Sequence, residues 1–149
     1  GGYRNGTTPA SFEVETDEKE NVKHKLQLSM DGARVFDFTL REITPSIERL
    51  VEKSGVEKAR IDYFLLHQSN RFIINQIAMQ LGVSTEKMLL NIEKFGNTSG
   101  VSIPLLMSSH REKFDGKPTV AFSGYGVGLN WANAIVQNLD ADILETVEI

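Results

Sequence analysis

Cysteine is absent from the 149 residues. That excludes a disulfide framework and any cysteine-held metal, and it leaves the chain without a cysteine nucleophile. Histidine is scarce: His24, His67 and His110 stand far apart, with no zinc-ligand spacing, so no metal is expected. No apolar run approaches the ~20 residues that cross a bilayer. Gly1-Gly2-Tyr3-Arg4 has none of the features of a signal peptide, so a cytoplasmic location is the expectation. An excess of positive charge is missing too. With 16 Lys and Arg against 20 Asp and Glu the net charge is -4, and the cations are scattered rather than gathered in a patch, which argues against a nucleic-acid partner. What is present is a 40% hydrophobic chain of one-domain length, enough for a core.

Residues 1–21 are Gly, Thr and Pro followed by an acidic run, with Phe12 and Val14 as the bulky apolar anchors, and read as an exposed loop or the remnant of a preceding segment. Residues 22–139 carry the regular patterns, and 140–149 form an acidic and apolar tail, a terminal strand or an ordered arm. Leu26, Leu28 and Met30 alternate with polar residues, which predicts a half-buried strand over 22–30 ending in a turn at Asp31-Gly32. Helical spacing over 35–54 is interrupted by Thr44-Pro45, where a helix is expected to break or restart before closing at Gly55. Residues 61–66 are a short apolar run of the kind buried on both faces of a layered sheet. The spacing of Ile73, Ile77 and Leu81 predicts a helix over 71–81 ended by Gly82, and Ser84 is expected to cap a second helix running to about Glu93. A buried helix over 101–111, a strand over 119–122, a glycine loop and a strand over 129–136 follow. Strands alternating with helices imply an α/β protein.

Three segments stand out against this frame. His67 directly follows the apolar strand, the place where ligands gather in α/β sheets. A histidine there on its own is more often a hydrogen-bonded structural residue. His24 and His110, among polar neighbours, read as solvated. Asn97 lies in Gly96-Asn97-Thr98-Ser99-Gly100, which is an ordinary turn composition. The run fails as a serine-hydrolase elbow because Thr98 holds the central place. The third segment is Gly124-Tyr125-Gly126-Val127-Gly128, which follows a strand. Leu129 stands where a dinucleotide fingerprint needs glycine, so nucleotide binding is disfavoured. Glycines at alternate positions leave backbone amides free to approach a ligand, unless they simply form a turn between two strands. Two side-chain donors and one backbone donor at strand ends suit an oxygen that becomes negative during reaction.

Taken together, the histidine segment H-Q-x-N (His67 to Asn70), the asparagine segment G-N-T-S (Gly96 to Ser99) and the glycine loop followed by Trp131 resemble the C-terminal half of the β-ketoacyl-acyl-carrier-protein synthase III family. The stretch from Met30 to Phe36 resembles the family's M-x-G-x-x-V-F, so the likeness covers roughly residues 26–136. These enzymes are condensing enzymes of the thiolase-like fold. The resemblance implies the C-terminal half of that fold, a mixed sheet with helices packed on it, and implies that a strand preceding Gly1 completes the sheet, leaving an edge here.

It further implies decarboxylative Claisen condensation of an acyl-CoA primer with a malonyl-carrier protein, in fatty acid or related biosynthesis. His67 and Asn97 would hold the thioester carbonyl while carbon dioxide leaves. The amide of Val127, between Gly126 and Gly128, would serve the acyl-cysteine carbonyl, and Gly32, Val35, Phe36, Ser69 and Asn70 would line the pantetheine tunnel. Coenzyme A and carrier-protein phosphopantetheine would be substrate carriers, with no resident cofactor. The partners implied are an N-terminal half bearing the cysteine and, for the whole enzyme, a second copy in a homodimer. This chain alone is expected to be inactive. Ser69 and Gly100 stand where the family commonly has alanine, and after Arg71 the predicted helix carries no further positive charge with which to meet an acidic carrier. A different reading makes the chain a non-catalytic subunit that binds coenzyme A or a carrier protein beside a cysteine-bearing partner. A thioesterase or hydrolase is a distant third, since no Ser-His-Asp set is visible.

Overall fold

The computed structural model describes residues 7–18, 20–24, 26, 31–126 and 128–147, with Lys23 described by its backbone only. The residues group into two compact units, Gly1–Val35 and Phe36–Ile149.

In the first unit a 3-10 turn, Pro9–Phe12, leads to strand β1 (Val14–Thr16), which pairs antiparallel with β2 (Val22–His24). The segment read as a loop therefore contains a hairpin. Asp17 closes it by accepting from the backbone and side-chain N–H groups of Asn21 at 3.0 and 3.1 Å. Phe12 and Val14 are both 64% exposed within the described residues, so they are not the anchors that their size suggested. The strand expected over 22–30 is described as far as His24; residues 27–30 lie outside the described residues. Asp31-Gly32 is not a turn. Asp31 Oδ1 accepts from the Arg34 amide at 3.1 Å, which caps helix α1 (Gly32–Phe38), and an Asp ahead of a helix satisfies orphan N–H groups as readily as it starts a turn.

Helix α1 runs through a π-helical stretch, Thr39–Ile43, straight into α2 (Thr44–Ser54). The interruption expected at Pro45 is thus a local widening rather than a break. Pro45 sits in the first turn of α2, where its missing N–H does little harm, and Thr44 is buried and does not cap. Gly55 ends α2. Strand β3 (Tyr63–Leu66) pairs parallel with β4 (Val120–Gly126), and β4 pairs antiparallel with β5 (Asn130–Val136), giving a mixed sheet in the order β3-β4-β5. Between the parallel strands lie α3 (Arg71–Leu81), a 3-10 turn at Thr85–Lys87 capped by Ser84, the short α4 (Ile92–Phe95) and α5 (Ser102–Ser109). The second helix expected from Ser84 to Glu93 does not form. Met88 instead makes a parallel bridge to Phe64, and Met88 and Leu89 are buried, so tertiary packing overrides a weak local preference.

β3 is buried on both faces. Phe64 and Leu66 face a cluster with Ile43, Ile47, Ile74, Ile77 and Leu81 from the 39–54 and 71–81 helices, while Leu65 faces Leu89, Leu106, Phe114 and Val120. Full burial of each such side chain contributes roughly 1.5–3 kcal/mol. The tail is an ordered arm rather than a strand: the Leu139 amide donates to the Pro118 carbonyl, Leu139 and Ile143 pack on the second cluster, Lys117 pairs with Asp140 and Arg111 with Glu145.

Candidate active site

The site grows from the carboxyl end of β3. The last ladder pair is Leu66 with Ser123, and the His67 amide then donates to the Ser123 carbonyl at 2.9 Å. Immediately afterwards the Ser69 amide donates back to the His67 carbonyl at 2.8 Å, a tight turn that sends Gln68 inward while His67 stays half-buried. Gln68 is fully buried and fully used. Its Nε2 donates to the Leu66 and Leu89 carbonyls at 3.0 and 3.3 Å, and its Oε1 accepts from the Asn91 amide at 3.1 Å. Asn70 ends the turn by capping α3, its Oδ1 accepting from the Phe72 amide at 2.8 Å.

The His67 imidazole lies 2.8 Å, through Nδ1, from the Ser102 hydroxyl, which is buried at the start of α5. Burial lowers its pKa below the ordinary 6.5, a shift that the nearby Ser99 backbone partly opposes. Ser99 belongs to the asparagine loop. Gly96 closes α4 with φ +65°, a conformation that suits glycine, and the exposed Asn97 follows with its Oδ1 accepting from the Ser99 amide at 2.9 Å. Ser99 thus holds the carboxamide through its amide, and its backbone also bears on the charge of the imidazole. The bond through Oδ1 leaves the Asn97 amide nitrogen as the outward donor.

The glycine segment differs from the expected loop. Gly124 and Gly126 are ladder residues of β4, opposite Ala132 and Asn130, so these two glycines belong to the strand, and the described turn residues are Gly128 and Leu129. Val127 lies outside the described residues. Gly128 has φ +148°, and a Cβ there would fall 2.3 Å from Asn130 Nδ2, so this position needs glycine. Tyr125, which carried no role in the sequence reading, stands edge-on to His67 with ring centroids 5.4 Å apart and puts its hydroxyl 3.0 Å from Ser69 Oγ. An aromatic held between two glycines in a strand was the available signal. For Ser102 it was a hydroxyl at the first position of a helix whose next five residues are apolar.

Of the residues expected in the tunnel, Gly32 and Val35 lie on α1 in the first unit. Phe36 stacks on Phe72 with centroids 5.6 Å apart. Asn70 and Phe72 border an open hollow with Arg71, Asn75, Ile92 and Glu93. Arg71, the one cation of α3, is paired with Glu93 at 2.5 Å. His110 is not solvated as expected: it is half-buried, with Nδ1 3.2 Å from the Leu106 carbonyl. Among the described residues no group of three or more His, Asp or Glu side chains could hold a metal, and no helix is long and apolar enough to cross a membrane.

Known proteins share this fold. The chain is 43% identical over 114 residues to a β-ketoacyl-[acyl-carrier-protein] synthase III of Streptococcus equi subsp. zooepidemicus, covering 74% of this chain and 35% of that protein. It is 37% identical over 140 residues to the synthase III of Streptococcus agalactiae, covering 91% and 43%. A crystal structure of a 3-oxoacyl-(acyl-carrier-protein) synthase III superposes with TM-score 0.81 at 29% identity, over 91% of this chain and 41% of that one. A 3-oxoacyl-(acyl-carrier protein) synthase from Burkholderia xenovorans LB400 gives 0.70 at 32% identity, over 85% and 36%. The chain therefore spans about two-fifths of the relatives it matches, and its fold is that of the C-terminal part of the thiolase-like synthases. Residues 51–138, which run from the end of α2 through both strand ends to the close of β5, match the family described as 3-oxoacyl-[acyl-carrier-protein (ACP)] synthase III C terminal, and the chain belongs to that family of fatty-acid condensing enzymes.

Proposed function

We propose that this chain supplies the decarboxylation half of a 3-oxoacyl-acyl-carrier-protein synthase III site, in which a cysteine from an N-terminal half holds the acyl group. The observation that carries this reading is the placement of His67 at the carboxyl end of β3 with Nδ1 2.8 Å from the buried Ser102 hydroxyl, in a stretch that matches the synthase III C-terminal family. When the malonyl thioester loses carbon dioxide, the electron pair of the breaking C–C bond passes to the α-carbon and the thioester oxygen. His67 and Asn97 each donate an N–H to that oxygen. The enolate carbon then attacks the acyl-cysteine carbonyl, and the thiolate leaves as the new C–C bond forms.

Two features of the site favour this division of labour. A neutral imidazole with its proton on Nε2 is the donor required, a tautomer that the Ser102 hydroxyl, 2.8 Å from Nδ1, supports when it acts as the donor. Burial keeps the ring neutral near pH 7. The primer is read as an acyl-CoA and the extender as a malonyl-carrier protein, with Phe36, Ser69 and Asn70, together with Gly32 and Val35, on the pantetheine path. The backbone at 126–128 serves the acyl-cysteine carbonyl. In this reading the complete enzyme is a cytoplasmic homodimer that needs no resident cofactor, and this chain by itself does not turn over. Because Arg71 is neutralised by Glu93, carrier docking draws little on the charge of α3.

The test joins the chain to a cysteine-bearing N-terminal half. His67→Ala and Asn97→Ala are each expected to lower decarboxylation and condensation by about 100-fold, the effect of removing one oxyanion donor, while acylation of the cysteine survives. Loss of acylation in step with decarboxylation, or turnover by this chain without any partner, overturns the reading.

A further inference from the structure

Beyond its ladder, the β3–β4 pair is held together at the site by side chains. β3 ends at Leu66 and the His67 amide still bonds the Ser123 carbonyl, but β4 continues to Gly126, and beyond Ser123 the β3–β4 ladder has no further pair to tie the histidine to the end of that strand. Tyr125 bridges that gap. Its hydroxyl donates to the His67 carbonyl at 3.3 Å, on the same oxygen that accepts the Ser69 amide at 2.8 Å, and lies 3.0 Å from Ser69 Oγ. The circuit closes on itself: Ser69 N–H to the His67 carbonyl, Tyr125 O–H to that carbonyl, and Ser69 Oγ to the Tyr125 oxygen. The phenol is only 8% exposed. Burial pushes its pKa up to about 12, so it remains a donor throughout the working range.

We propose that Tyr125 and Ser69 form a positioning clamp that fixes His67 relative to the end of β4. The inference rests on the condensing reading above and deepens it. Oxygen-stabilising donors act only within a few tenths of an ångström of the right place, so a clamp one strand away acts on the chemical step and not on substrate affinity.

In the complete synthase, Tyr125→Phe keeps the ring and removes the hydroxyl. Decarboxylation kcat is expected to fall about 10-fold with KM for the malonyl thioester changed less than about 2-fold, and Ser69→Ala to lower kcat about 3-fold. Because both act through one circuit, the double variant should match Tyr125→Phe alone instead of multiplying the two losses. In the isolated chain, Tyr125→Phe should shift the His67 carbonyl ¹³C resonance and speed hydrogen exchange of the Ser69 amide, with the Leu65 amide unchanged. Multiplicative losses, a change confined to KM, or unaltered His67 and Ser69 signals would each overturn the clamp. His67→Ala separates the two claims: if it abolishes decarboxylation while Tyr125→Phe is silent, only the clamp fails. If it is silent while the Tyr125→Phe resonance shifts appear, the clamp stands and the condensing role of His67 falls.

Discussion

The two side chains asked to share one oxygen are held in contrasting ways. His67 follows a strand buried on both faces, its amide and carbonyl are both taken by neighbours, and its ring meets Ser102 and Tyr125. Asn97 is exposed on a three-residue loop between a one-turn helix and a 3-10 turn, and its described bond is to an amide two residues away. The histidine is placed by the sheet, the asparagine by local turn chemistry. A donor placed by the sheet is expensive to disturb, whereas one placed by a turn can be exchanged with little effect on folding and a large one on chemistry.

The sharpest way to break this contrast is at Gln68, which ties the histidine turn to the 89–91 segment. Gln68→Ala would leave two buried carbonyls and one buried amide without their partner, a destabilisation of about 3 kcal/mol or more in a denaturant titration. A loss below about 1 kcal/mol would mean that water replaces the side chain and that the turn is looser than described. Ser102→Ala should cost less, about 1–2 kcal/mol, since one buried hydrogen bond is lost with a small cavity. In the complete synthase it should also lower decarboxylation by freeing the imidazole tautomer, with Ser102→Thr restoring most of the rate.

The pH dependence of stability separates the two regions further. His67 is protonated less readily in the folded chain than in the unfolded one, whose ordinary value is 6.5. Between the lowered folded value and 6.5 the unfolded chain therefore binds more protons, so this contribution is intact above about pH 6.5 and is lost as the pH falls. Thermal midpoints followed from pH 7.5 to 5 should decline less steeply in His67→Gln than in the parent, and an unchanged slope would contradict the burial of the ring. Smallest of all, Asn97→Ala should change stability by less than about 0.5 kcal/mol, the usual range for an exposed position. A larger loss would show that the loop is built around that side chain and would erase the distinction.

Much of the fold is legible in the residues because single elements announce themselves. The four-residue recurrence of isoleucines and leucine in α3, ended by Gly82, needs no tertiary information, and the apolar run of β3 predicts its two buried faces. Where preference is weak, packing decides. Met88 and Leu89 were expected in a helix and became extended because Phe64 and Leu106 offered them a core. Asp31 suits a turn or a helix cap about equally, and only the helix that follows distinguishes them. Pro45 marks an interruption, and the chain answers with a π-helical widening.

The candidate site divides along the same line. Composition and motif establish which chemistry is available: no cysteine, one histidine at a strand end, an asparagine between turn formers, and glycines before a tryptophan. They do not reveal Ser102, 35 residues from His67 along the chain, or Tyr125, 58 residues away, because a hydrogen bond between distant residues leaves no periodicity to read. Local propensity acts over a few residues and is written in the sequence. The parallel pairing of β3 with β4 carries Tyr125 to the histidine, and the start of α5 carries Ser102 there, and those approaches exist only once the core has closed.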